Sequence, residues 1–347
     1  MPFRNERHLS AIIGVMLCFV DDTLPGITRK RRGRYWQYFD ADGNRITDRE
    51  EIDRLNAVGL PPAYDRAWFC PTPHGHIQAI GFDDKGRKQY RYHADFRAQQ
   101  DAAKYDLCAA FGRALPKLRE RVEQDLSKRS LSLEAVAAAI VRLLDTERIR
   151  VGNEAYARSN KSFGATTLRT RHAKVLGRTV KMRFKGKHGI ERELSITDRN
   201  LTRIVRKCHD LPGQHLFQYV DDNGEAQPIS SSDVNAYIKQ AMGEDFTAKH
   251  FRTWGASTLA FEQICAAGSE GITLKQMLVP VAAALGNTPA ISRKSYIHPA
   301  LIDAVKANPR NPLDGLQCPR PTKYLSSAER GLIAFLEAQT ETSAEAA

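Results

Sequence analysis

The chain has 347 residues, a formal net charge of +12 and 42% hydrophobic residues, with a sequence pI near 9.5. That is enough apolar material for two modest cores, and the charge asks for an anionic partner such as nucleic acid, acidic lipid or acidic protein. Six cysteines (Cys18, Cys70, Cys108, Cys208, Cys265, Cys318) lie far apart with no C-x-x-C spacing. This argues against a structural zinc site and a disulfide framework, and for a reducing compartment.

In chain order, "LSAIIGVMLCFV" follows Arg4, Arg7 and His8. No small-x-small cleavage site precedes the acidic pair Asp21–Asp22, and the run is too short to span a bilayer. It is expected to be a buried strand or helix at the edge of the first domain. From about Asp21 to Asp101 the pattern is strand and turn. "YWQYFDADGNRI" gives an aromatic run, Asp-Gly turn chemistry and a restart, and "HIQAIGFDDKGRKQYRYHADF" repeats the scheme. Between them "DREEIDRLNAVGL" is a short helical piece stopped by Pro61 and Pro62. The expectation is a small β-rich domain over 1–101, with a hinge near Asp95–Lys104.

Beyond Ala102 apolar residues fall at helical spacing in "AAKYDLCAAFGRALPKLRERVEQDLS" and "SLEAVAAAIVRLLDTERIR", the second started by Ser132 with Glu134. "TVKMRFKGKHGIERELSI" alternates, turns and alternates again, which predicts a β-hairpin. Helical patterns resume in "TRIVRKCHDL", "SSDVNAYIKQAMG", "FRTWGASTLAFEQICAAG" and "LKQMLVPVAAALG", and the polar tail "EAQTETSAEAA" is expected to fray. The fold class expected is α+β: the β-rich domain, then a larger mainly α-helical domain over 102–347 carrying the hairpin.

No G-x-x-x-x-G-K-[ST] or G-x-G-x-x-G loop is present, so no nucleotide cofactor is indicated. "HGH" at 74–76 reads as a turn rather than a metal site, and no metal or cofactor is expected. Three basic groups stand out. "RIRVGNEAY" ends a helix and holds Arg150 ahead of a glycine; "FKGKHG" puts Lys185 and Lys187 at the hairpin tip; "AKHFRTWGAS" opens a helix with Lys249, His250 and Arg252. Cations at a helix N-terminus oppose the dipole, and an anion there removes the conflict. Taken with Tyr296 in "LGNTPAISRKSYIHP" and Asn287 nine residues earlier, these residues make a metal-free phosphoryl-transfer set. Two arginines bind the non-bridging oxygens, a lysine protonates the departing alkoxide, and a phenol attacks phosphorus.

These stretches resemble the type IB DNA topoisomerases, particularly the compact bacterial and poxvirus-like branch. The likeness covers "PGITRKRRGRYWQYFDADGNRI", "GLPPAYDRAWFCP", "GHIQAIGFDDKGRKQYRYH" and "AAKYD", then "RIRVGNEAYARSNKSFGATTLRTRH", "FKGKHG", "KHFRTWGAS" and "LGNTPAISRKSYIHP". The resemblance implies the catalytic fold shared by these enzymes and tyrosine recombinases. It implies Arg150, Lys187, Arg252 and Tyr296 as catalytic residues, with Asn287 where other members have a histidine that bonds a phosphate oxygen. It implies duplex DNA as partner, with Lys88, Gln89, Tyr90 and Tyr92 on a groove-reading strand and Tyr156 and Lys249 as further contacts. The activity implied is relaxation of supercoils without ATP or metal, by a monomer free of the membrane, in the cytoplasm with the nucleoid. A tyrosine recombinase is the alternative, but its helical N-terminal domain and H-x-x-R spacing are missing: Lys249 stands three residues before Arg252 and His250 is out of register. A non-catalytic DNA-binding protein is a third reading, opposed by the complete set of ionisable residues.

Overall fold

The computed structural model describes residues 17–345 apart from 85, 314 and 317. The chain divides into two compact units, Met1–Ala103 and Lys104–Ala347. In the first, an antiparallel five-stranded sheet is built from β1 (Ile27–Arg32), β2 (Tyr35–Phe39), β3 (Asp65–Phe69), β4 (Ile77–Phe82) and β5 (Lys88–Tyr92), in the order β2-β1-β3-β4-β5. Helix α1 (Arg49–Ala57) connects β2 to β3. Its N-cap Asp48 accepts the Glu50 and Glu51 amides, and its Leu55 joins Ile27, Tyr38, Leu60, Phe69 and Ala79 in the core. The Asp-Gly turn after β2 forms as the sequence predicts, with Asp40 accepting the Asn44 amide at 2.8 Å, but the restart shrinks to one bridge, Phe39 to Arg45.

Of the N-terminal apolar run, residues 9–16 lie outside the described residues. Cys18 bridges Gly75, and Phe19 packs on the ring of His76 at 4.7 Å. His76 Nδ1 accepts the Val20 amide at 3.1 Å, so it serves packing in the turn. Helix α2 runs over Ala94–Ser127 and so begins inside the stretch expected as strand and turn.

The second unit is mainly helical: α3 (Leu133–Glu147), α4 (Glu154–Asn160), α5 (Arg199–His209), α6 (Ser231–Met242), α7 (Ala248–Ala267), α8 (Leu274–Leu285), α9 (Pro289–Ser295), α10 (Pro299–Ala307) and α11 (Ser327–Glu345). The hairpin of β7 (Thr179–Lys185) and β8 (Glu191–Thr197) forms, and β6 (Ala173–Leu176) adds a third strand to its edge. A small pair, β9 (Gln218–Val220) and β10 (Ala226–Pro228), stands apart. Helix α3 is apolar all round and buried along Ala135–Val141 and Leu143–Leu144, the centre of the core. Burying each of Ile140, Leu143 and Leu144 contributes about 1.5–3 kcal/mol. The C-terminal tail, expected to fray, is helical to Glu345, anchored by buried Leu332, Phe335 and Leu336. All six cysteines are unbonded.

Candidate active site

Arg150 is held by its backbone. Helix α3 ends with Arg148 in the left-handed region (φ 54°), and the chain then passes Gly152 at φ 107°. The Arg150 carbonyl accepts the Ala165 amide at 2.9 Å and that of Val151 accepts the Thr166 amide at 2.7 Å. Gly164 makes this approach possible, because a Cβ there would lie 2.5 Å from the Arg150 carbonyl oxygen. The Arg150 guanidinium donates from Nη2 to Asn287 Oδ1 at 3.2 Å and to Tyr296 Oη at 3.4 Å.

Arg252 lies one turn into α7 and is 5% exposed. Its Nη1 donates to the Arg148 carbonyl and its Nη2 to the Leu285 carbonyl at 3.2 Å, while its Nε is buried without a partner. The guanidinium carbon stands 4.7 Å from the centre of the Tyr296 ring. Burial and the neighbouring Arg150 charge push its pKa down to about 10. His250, grouped with these cations from the sequence, has another task. Its Nδ1 accepts the Thr247 amide at 2.9 Å and its ring stacks on Phe111, so burial holds it neutral and it caps α7.

Tyr296 follows α9, its amide bonded to the Ser292 carbonyl at 3.1 Å and the next residue, Ile297, fully buried. Burial raises its pKa, but the charges of Arg252 and Arg150 outweigh burial and leave the phenol more acidic than usual. Asn287 follows Gly286, which ends α8 at φ 60°, and the Asn287 amide donates to Ala282 at 2.9 Å. Its Nδ2 is buried with no partner, a donor awaiting an acceptor. Two residues past the tyrosine, His298 caps α10 by accepting the Ala300 amide at 3.2 Å, and burial drops its pKa to about 4.

Lys187 opens the turn between β7 and β8, exposed at the tip as its sequence position predicts. It lines one cleft with Arg150, Arg192 and Arg252, and among the described residues no carboxylate lines that cleft. Thus Arg150 contacts both Asn287 and Tyr296, Arg252 lies against the Tyr296 ring, and Lys187 lines the cleft that Arg150 and Arg252 also line. Sequence reasoning missed Arg192. The signal was there: on β8 it occupies the inward register shared with Leu194 and Ile196, where a cation is unexpected.

The remaining candidates lie elsewhere. On edge strand β5, Lys88, Tyr90 and Tyr92 share the more exposed face, with the two rings stacked at 5.7 Å, Lys88 5.3 Å from the centre of Tyr90 and paired with Asp22. Gln89 points to the other face and donates to Asp83 at 3.1 Å. Tyr156 on α4 is 53% exposed, and Lys249 at the start of α7 is exposed. Among the described residues no cluster of three His, Cys, Asp or Glu is arranged to hold a metal, and no helix is long and apolar enough to cross a membrane.

A sheet-based N-terminal unit and a mainly helical unit, with a buried arginine against a half-buried phenol, make an α+β fold. Residues 93–308 match the catalytic core of eukaryotic DNA topoisomerase I, and residues 35–83 the N-terminal domain of bacterial DNA topoisomerase IB. The chain belongs to the type IB DNA topoisomerase family. It is 32% identical to DNA topoisomerase 1B of Acanthamoeba polyphaga mimivirus over 82% of this chain and 89% of that protein. It is 22% identical to DNA topoisomerase 1B of vaccinia virus (strain Copenhagen) over 65% of this chain and 72% of that one. A solved post-cleavage complex of the XerH site-specific recombinase aligns with 55% of this chain and 50% of its own at 18% identity and a TM-score of 0.36.

Proposed function

We propose that the chain relaxes supercoiled duplex DNA by transient cleavage of one strand through Tyr296, with no ATP and no divalent ion. Tyr296 Oη gives its proton to solvent water and attacks a backbone phosphorus. The new P–O bond leaves a 3′-phosphotyrosyl ester, the P–O5′ bond breaks, and Lys187 protonates the departing 5′-oxygen. Arg150 and Arg252 stabilise the charge of the five-coordinate transition state, and the free Nδ2 of Asn287 donates to a non-bridging oxygen. The freed strand rotates, and the 5′-hydroxyl attacks back. One phosphoester replaces another, so supercoiling strain alone drives the cycle.

The observation that carries this reading is the cleft with four cations and no lining carboxylate, beside a phenol made acidic by two of them. Fixed cations there supply the charge neutralisation that a divalent ion supplies elsewhere. The N-terminal unit (1–101 by sequence) acts as one jaw of a DNA clamp and the catalytic unit (102–347) as the other. Lys88, Gln89, Tyr90 and Tyr92 on β5 read a groove, and Tyr156 and Lys249 touch the backbone. The enzyme works as a monomer on chromosomal DNA in the cytoplasm. The test is relaxation of positively and negatively supercoiled plasmid in EDTA without ATP, with the covalent adduct mapped. Tyr296→Phe is expected to lose relaxation and adduct while retaining duplex binding. An active Tyr296→Phe enzyme, or a strict need for magnesium, would overturn the proposal.

A further inference from the structure

Arg192 lies on β8, five residues after Lys187, and reaches across to the end of another element. Its Nη2 donates to the Ala284 carbonyl at 2.9 Å and its Nη1 to the Ala283 carbonyl at 3.4 Å. Both carbonyls lie in the last turn of α8, where intrahelical donors run out: that of Ala283 also accepts the Gly286 amide at 3.1 Å, and that of Ala284 is taken by Arg192. A cation there also answers the negative end of the helix dipole. The residues that follow are Gly286 and Asn287, and Asn287 shares the Arg150 guanidinium with Tyr296. Gly286 is shaped for this contact: it sits at φ 60°, and a Cβ on it would come within 2.7 Å of Arg192 Nη1. Arg192 also lines the cleft beside Lys187, Arg150 and Arg252.

We propose that Arg192 is a positioning residue that ties the hairpin bearing Lys187 to the end of α8, and so fixes the leaving-group lysine against the segment that carries Asn287 and Tyr296. Two of its five N–H groups donate to carbonyls at the end of α8, and this contact, which holds its neighbours in place, is the role assigned to Arg192. The Phe163 amide holds the root of the tip at the Lys185 carbonyl (2.8 Å) from one side and Arg192 ties it to α8 from the other, and leaving-group protonation depends on where the tip stands. This inference rests on the proposed cleavage chemistry.

The test is single-turnover cleavage of a duplex whose 3′ fragment dissociates, with full-length protein. Arg192→Ala is expected to slow cleavage by about 10- to 100-fold, the penalty for misplacing a reacting group by about 1 Å, with duplex affinity close to wild type. Because the defect passes largely through Lys187, the losses should not multiply: Arg192→Ala added to Lys187→Ala should cost much less than it costs alone. A 5′-bridging sulfur, which leaves without a proton, should restore part of the Arg192→Ala rate. Arg192→Lys keeps the charge but not the planar fork and should recover only part of the rate, and it carries the test if the alanine variant does not fold. Wild-type rates in Arg192→Ala, full recovery in Arg192→Lys, or losses that multiply with Lys187→Ala would each overturn the inference. A wild-type enzyme that forms no adduct at Tyr296 would instead remove the functional reading beneath it.

Discussion

A phenol buried beside two guanidinium groups is subject to opposing pressures. Burial favours the neutral form, while Arg252 and Arg150 favour the anion and prevail. The sign for catalysis follows. In the proposed reaction the phenolate is the nucleophile, so a lowered pKa means the cleavage rate should level off below the ~10 of a free tyrosine. Replacing Arg150 with alanine removes one of the two cations. Beyond slowing the reaction, it should move the alkaline limb of the pH–rate profile upward, read from single-turnover cleavage between neutral pH and the alkaline range. A limb that stays in place would mean that Arg150 acts on the phosphate alone. Lys187 makes a separable prediction, since its proton is needed only by the leaving oxygen. Lys187→Ala should cut cleavage by about 10²–10⁴-fold, the usual span of general acid catalysis, and a 5′-bridging phosphorothiolate should return most of that loss. Failure of the rescue would take the general-acid role away from Lys187. At this scale the residues singled out in the sequence, Arg150, Asn287, Arg252 and Tyr296, do meet in the folded chain, because each stands in a distinctive local context. Arg192 and the capping role of His250 were not legible in the sequence, since both depend on partners that only folding supplies: the end of α8 for one, the Thr247 amide and the Phe111 ring for the other.

Elements of the catalytic unit are pinned at a buried knot. Arg119 on α2 forks onto Asp145 of α3 at 2.8 Å and Glu329 of α11 at 2.7 Å, and Trp254 of α7 donates to Glu329 at 3.2 Å. Removing the arginine strands two carboxylates in a mostly buried place, so Arg119→Ala should destabilise by about 3–5 kcal/mol, checked by denaturant unfolding. The linkage sign is set by Glu329. Burial raises its pKa, hydrogen bonds and charge from Arg119 outweigh that, and the net shift is downward from 4.5. A carboxyl with a depressed pKa contributes stability that is full above about 4.5 and is lost as pH falls through its folded value. Glu329→Gln should flatten the acid limb of the stability curve, and an unchanged limb would show that the knot does not carry the acid sensitivity. This knot also accounts for α11, whose polar, alanine-rich end reads as a fraying tail. Tertiary anchoring upstream, not local sequence, sustains the helix. Alternation made β7 and β8 plain, whereas β6 and β9 are only four and three residues long, too short for a period to register. The start of α2 was missed because "YHADFRAQQ" passes from strand to helix with no glycine or proline between them.

Across the whole molecule the net charge of +12 and the few cations of the cleft do different work. Arg252 is buried and Arg150 partly so, and solvent ions screen such groups far less than exposed ones. The surplus of exposed lysine and arginine, including Lys30, Arg31, Arg32 and Arg34 of β1 and its turn, is open to screening. Duplex affinity and bond chemistry should therefore separate with salt. If about six phosphates are neutralised, the logarithm of the binding constant should fall against the logarithm of salt with a slope of about −5, from counterion release. Cleavage of duplex already bound, measured under single turnover at saturating enzyme, should stay nearly constant over the same range. Relaxation assays would then turn from processive to distributive as salt rises, with the rate of the chemical step preserved. A slope shallower than about −2 would contradict an extended phosphate interface. A cleavage rate falling in parallel with affinity would mean that the reacting phosphate is held by exposed charges, leaving the buried arginines without the role their burial fits them for.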